Sequence, residues 1–143
     1  MKTKVAALLA ALVVAPSAFG SAQLIAVQER SKGGNVAVTL DVAVTGRESG
    51  FDIKIETDAS SIKEVDLSQC VASLPKDRTG GCGFKDGVVI IGVYSPNGDT
   101  IPAGIISVGR IVVKTAEGSA RVSHFGAFDQ AGADVSSTVA NAR

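Results

Sequence analysis

The sequence has no tryptophan, one tyrosine, one histidine and two cysteines among its 143 residues. Beyond the first 22 residues the phenylalanines are Phe51, Phe84, Phe125 and Phe128. So few aromatics argue against a planar platform for crystalline polysaccharide. Zinc is equally poorly served: His124 is distant from Cys70 and Cys82, and two cysteines do not complete a tetrahedral site. Charge of one sign is missing too, with 14 Lys and Arg against 14 Asp and Glu. Setting Lys2 and Lys4 aside leaves 12 basic and 14 acidic residues, a net charge of −2 and no basic run. That balance argues against nucleic-acid binding.

Long apolar runs are absent with one exception. Val5 to Val14 (VAALLAALVV) is ten apolar residues, too short to span a bilayer. The basic Met1-Lys2-Thr3-Lys4 precedes it and small residues from Pro16 to Ala22 follow, which is the plan of a secretory signal peptide. Cleavage after Gly20 or Ala22 fits; Ala22 is preferred, so the expected organisation is a signal peptide over 1–22 and one domain over 23–143. No cysteine lies near the cleavage site to carry a lipid, and no membrane span follows. The protein is therefore expected to be exported, to the periplasm or beyond the cell. In that oxidising setting Cys70 and Cys82 are expected to form a disulfide. The closed loop would add about 3 kcal/mol on the chain-entropy model.

Alternation is what the chain has in abundance. Between Asn35 and Thr57, Val36, Val38, Leu40, Val42 and Val44 alternate with smaller or polar residues, and Phe51, Ile53 and Ile55 alternate with Asp52, Lys54 and Glu56. A period of two means strands with one face on a core and one towards water. Similar signals predict strands over Gln23–Gln28, Ile62–Leu67, Gly87–Tyr94, Gly104–Thr115 and Ala120–Phe125, with a short last strand after a turn beginning at Phe128. Glu29–Gly34, Gly46–Gly50, Asp58–Ser61, Ser95–Thr100 and Ala116–Ser119 read as turns. Ser68–Gly87 reads as an irregular loop pinned by the cysteine pair. Seven or eight strands without a helix after the leader predict an all-β, antiparallel β-sandwich.

The order of these segments resembles the bacterial cohesin modules. Gly50-Phe51-Asp52-Ile53-Lys54-Ile55 runs into Asp58-Ala59-Ser60-Ser61-Ile62-Lys63-Glu64-Val65, similar to a core strand entering an Asp-Pro-Ser-x-Leu-x-x-Val turn, with Ala59 in the proline position. Gly87–Tyr94, a Ser-Pro-x-Gly turn, Ile101, Gly104–Val113 and the acidic, glycine-containing Phe128–Val135 continue the match over roughly residues 23 to 137. The resemblance implies a jelly-roll, cohesin-like or Ig-like sandwich, the architecture shared with related carbohydrate-binding modules. It also implies a module for protein–protein adhesion or extracellular assembly. No contact residue of the family can be carried over to a position here.

Candidate chemistry is sparse. His124 alternates within Arg121-Val122-Ser123-His124-Phe125, and no Gly-x-Ser-x-Gly elbow accompanies it, so it reads as a polar face position and no enzyme is expected. Calcium is the one candidate cofactor: Asn97 and Asp99 in one turn, and Asp129 and Asp134 in another, offer oxygen ligands without EF-hand spacing. Turns also use such side chains to bond their own backbone. Phe84, Tyr94 and Phe128 are the candidates for a carbohydrate platform; Phe51 and Phe125 read as core. The expected partner is a protein, with a polysaccharide or self-association through strand edges as alternatives.

Overall fold

Among the described residues, ten strands in two sheets accommodate the alternating segments. The computed structural model describes residues 21–31, 33–57, 62–115 and 119–142. The strands are β1 (Ala22–Arg30), β2 (Val36–Val44), β3 (Gly50–Thr57), β4 (Ile62–Asp66), β5 (Thr79–Lys85), β6 (Val88–Tyr94), β7 (Gly104–Thr115), β8 (Ala120–Phe128), β9 (Asp134–Val135) and β10 (Ser137–Ala142). The first sheet has the order β10-β1-β2-β7-β4 and the second β5-β6-β3-β8-β9. Residues 1–20, which hold most of the expected leader, lie outside the described residues, as do Lys32, residues 58–61 where a turn is expected, residues 116–118 and Arg143.

Both sheets contribute to one core. Leu24, Val36, Val38, Leu40, Val42 and Ile111 come from the first sheet, and Phe51, Ile53, Ile55, Val89, Ile91 and Val93 from the second. Each set occupies alternate positions of its strand, as the period of two requires. The Phe51 and Phe125 rings meet with centroids 6.1 Å apart, so both belong to the core, as expected.

Three features depart from the sequence reading. β10 runs parallel to β1, with Ala22 opposite Ser137 and Val27 opposite Ala142, while all other pairings are antiparallel. Phe128 ends β8 and does not sit in the following turn. The region expected to be an irregular loop contains β5, TGGCGFK, paired along its length with β6. Its glycines hid the alternation: Gly80, Cys82 and Phe84 share one side, and Thr79, Gly81, Gly83 and Lys85 the other.

The chain between β4 and β5 closes one side of the sandwich. A bulge in β7 falls opposite Leu40 and Asp41. There Gly109 adopts φ +155°, and the backbone of Gln69 and Cys70 comes so near that a Cβ at Gly109 would lie 2.3 Å from the Cys70 carbonyl oxygen. Arg110 N–H donates to the Gln69 carbonyl and Ser73 N–H to that of Val108, seating the turn on β7. From this turn Cys70 reaches Cys82 on β5 in the expected disulfide, which joins the first sheet to the edge of the second.

Candidate functional site

Strand register determines which side chains stand together on the outward side of the second sheet. Across β5, β6, β3 and β8 the first row reads Thr79, Tyr94, Gly50 and Phe128. Gly81, Gly92, Asp52 and Gly126 form the second row, and Gly83, Ile90, Lys54 and His124 the third. Lys85, Val88, Glu56 and Arg121 complete it. Ile90 and Tyr94 are 46 % and 50 % exposed, at the two ends of a gap floored by Gly92. Four residues of extended chain put them about 13 Å apart.

Polar side chains on this face are partly paired. His124 Nε2 lies 3.2 Å from Asp52 Oδ2, and the pair spans the bare backbone of Gly126. Arg121 pairs with Glu56. Ser123, displaced by a bulge in β8, donates its hydroxyl to the Lys54 carbonyl at 3.3 Å. The histidine thus has an aspartate partner, and the neighbouring serine bonds the backbone. A groove of about 450 Å³ follows the last two rows over Val88 and Ile90, with Lys54, Lys85, Glu56 and Asp86 on its lining.

One end of this face is braced by a residue that sequence reasoning passed over. Glu48 is 0 % exposed, in the connection between β2 and β3. Its Oε1 accepts from the backbone N–H groups of Thr45, Gly46 and Arg47 at 2.9, 3.1 and 3.1 Å. Its Oε2 accepts from the Thr45 hydroxyl at 2.8 Å. The Glu48 carbonyl accepts from Ile101 N–H, and the next residue, Ser49, donates its N–H to Phe128 and accepts from Ser95. Three loops are thereby fastened where the Tyr94, Gly50 and Phe128 row begins. A glutamate in a short polar connection has no distinctive pattern; only its burial reveals the role.

The three candidate platform aromatics do not act together. Phe84 is on the inward side of β5, opposite the buried Val89, and reaches solvent at the sheet edge. Phe128 shares the outward side with Tyr94, but its ring lies over Gly50, where a Cβ would be 2.3 Å from Cζ. Such a ring covering a strand glycine stabilises the sheet. Tyr94 alone stands up from the face.

The candidate calcium ligands occupy two turns at that same end. Asn97 and Asp99 are exposed in the β6–β7 connection. Asp129 Oδ1 accepts from Ala131 and Ala133 N–H at 2.9 and 3.0 Å, shaping its own turn, and Asp134 is exposed at the start of β9. Among the described residues no group of three or more His, Cys, Asp and Glu is placed to hold a metal ion.

Comparison with known proteins connects this geometry to a fold. No protein-family model and no curated protein matches the chain. Solved structures do. A type II cohesin in a complex with an X-dockerin, from Acetivibrio cellulolyticus, superposes with a TM-score of 0.64 at 10% identity, over 84% of this chain and 95% of that one. Type II cohesin A11 of Bacteroides cellulosolvens gives 0.57 at 16% identity, over 85% and 96%. A type I cohesin from a cohesin–dockerin complex of Clostridium thermocellum gives 0.57 at 9% identity, over 85% and 91%. The protein has a cohesin-like β-sandwich fold, as the order of its segments implied.

Proposed function

We propose that this protein is an exported, non-catalytic binding module that assembles with another protein through the outward face of β5, β6, β3 and β8. The observation that carries the reading is the exposure of Ile90 and Tyr94 beside a strip of bare backbone, on a sheet face with room for a flat partner. Isolated exposed apolar residues need no explanation, but two of this size around a side-chain-free floor form a contact surface. The outward side of the first sheet exposes one such residue among the described residues, Ile105, opposite Ala43. Ile25 and Ala43 on that side are fully buried, and Asp41 is desolvated beside Ser107.

Two features support export: the leader pattern of residues 1–22 and a disulfide that an oxidising compartment maintains. Among the described residues no helix is long and apolar enough to cross a membrane. The cohesin likeness supports assembly as the role, since two of the similar cohesins are solved in complexes with dockerins.

Affinity capture tests the reading. The exported protein is immobilised and exposed to envelope and secreted fractions of the producing cell, beside an Ile90→Glu variant. A protein retained by the wild type and lost from a variant of unchanged Tm is the expected result. Equal retention by both would refute docking on this face. The exported chain is expected to begin at Gln23 by intact mass; a mass that still includes residues 1–22 would refute cleavage.

A further inference from the structure

A strand at the edge of a sheet leaves every second N–H and C=O without a ladder partner. β5 ends the second sheet, beyond β6. The pairing of β6 with β3 decides which groups of β5 are free. Thr57 N–H donates to the Gly87 carbonyl at 2.9 Å and Ser95 N–H to the Ser49 carbonyl at 3.0 Å, so the odd-numbered residues of β6 bond β3. Its even-numbered residues, Val88, Ile90, Gly92 and Tyr94, therefore bond Lys85, Gly83, Gly81 and Thr79. The N–H and C=O groups of Gly80, Cys82 and Phe84 point away from the sheet, and none has a hydrogen-bond partner among the described residues.

This free edge has definite ends. Arg78 N–H is taken by the Pro75 carbonyl at 3.1 Å, and Asp86 and Gly87 turn the chain into β6 with φ of 52° and 80°. Sheet edges are commonly guarded against pairing by proline, by a bulge or by several charges. β5, TGGCGFK, has one charge, at its end, and pairs with β6 without a bulge. Its inward Phe84 is 40 % exposed.

We infer that β5 pairs antiparallel with β5 of a second copy of this chain, across a two-fold axis at Cys82, joining the second sheets of two molecules into one. In this register Gly80 faces Phe84 of the second copy and Cys82 faces Cys82. Each such pair exchanges two hydrogen bonds, so every free group of both edges is satisfied. A shift by two residues leaves Gly80 or Phe84 of each copy unpaired. The Phe84 ring comes over Gly80 of the second copy, where Leu74 Cδ1 lies 2.6 Å from a Cβ position. A ring covering a strand glycine stabilises the sheet. Lys85 falls opposite Thr79 and Asp86 opposite Arg78, so no like charges meet. An arbitrary extended segment would meet the same main-chain groups without the ring cover or the matched charges. The edge is separate from the outward face, so the dimer forms whether or not another protein docks there.

The test uses the exported, disulfide-bonded protein. Sedimentation equilibrium between about 10 µM and about 1 mM is expected to show a monomer–dimer equilibrium. Amide hydrogen exchange, read by NMR, locates the contact. The Gly80, Cys82 and Phe84 amides are expected to exchange about tenfold faster on dilution, while those of Gly81 and Gly83 keep their protection from β6. Phe84→Pro removes one free N–H, leaves the bonds to β6 in place and is expected to stay monomeric. Thr79→Lys sets lysine opposite Lys85 at both ends and is expected to weaken the dimer about tenfold; adding Lys85→Glu restores it. Because that pair keeps every β5 amide, it decides the matter if proline lowers Tm. A monomer at every concentration would overturn the inference. So would a dimer whose Gly80, Cys82 and Phe84 amides exchange at the monomer's rate, or one that Thr79→Lys leaves unchanged.

Discussion

Replacing Glu48 by alanine removes the acceptor that holds the β2–β3 connection together. Three backbone N–H groups and the Thr45 hydroxyl lose their partner at once. Hydrogen bonds to a charged group contribute about 1.5–3 kcal/mol each where water cannot replace them. Arg47 is exposed and Gly46 half-buried, so water recovers part of that loss. The net destabilisation is about 3 kcal/mol, which lowers Tm by roughly 10–15 °C in a domain of this size. Glu48→Gln is the control. It presents an oxygen to the three N–H groups and an amide to Thr45, so its cost is about 1 kcal/mol. Thermal unfolding by circular dichroism, with urea unfolding for confirmation, measures both. A fall of less than about 3 °C for Glu48→Ala would refute the bracing role. Equal falls for the two variants would show that the hydrogen bonds are not what alanine removes.

Other substitutions probe the remaining parts of the account. Removing the disulfide with Cys70→Ala/Cys82→Ala is expected to destabilise the domain by about 3 kcal/mol, and the wild type in reductant should fall to match; an unchanged Tm would refute the staple. Gly109→Ala is expected to lower Tm sharply, because its Cβ meets the Cys70 carbonyl at 2.3 Å, whereas Gly92→Ala, whose Cβ meets nothing within 4 Å, is expected to raise it slightly; the same sign for both would contradict this contrast. Burial raises the Asp41 carboxyl above its ordinary 3.8, against the hydrogen bond from Ser107. The folded protein then holds that proton more tightly than the unfolded chain, so stability falls as pH rises from the unfolded value through the folded one. Asp41→Asn is therefore expected to raise Tm at neutral pH and to lose the advantage below pH about 3, and a pH-independent difference would refute it.

The strands with branched apolar residues on every second position were legible in the sequence. β7 spans Gly104–Thr115 as expected, and β4, read as Ile62–Leu67, is Ile62–Asp66. The disulfide was legible from cysteine number and compartment. β5 was not, because glycines at three of its seven positions remove the side chains that alternation is read from. Phe128 reads from sequence as the start of a glycine-containing acidic turn, yet it ends β8 and its ring over Gly50 makes it part of the sheet. The outward glycine rows of the second sheet were illegible for a related reason. Register sets Gly81 and Gly92 side by side across two strands, and sequence alone leaves one in a presumed loop and the other in a strand.

Site-specific photo-crosslinking is the most direct test of the central claim. A photoreactive residue is placed at Ile90 on the outward face of the second sheet, or at Thr39 on that of the first, and each exported protein is irradiated with the secreted fraction. The account predicts a protein adduct from position 90 and none from position 39. An adduct from position 39 alone would place the partner on the opposite face and contradict it.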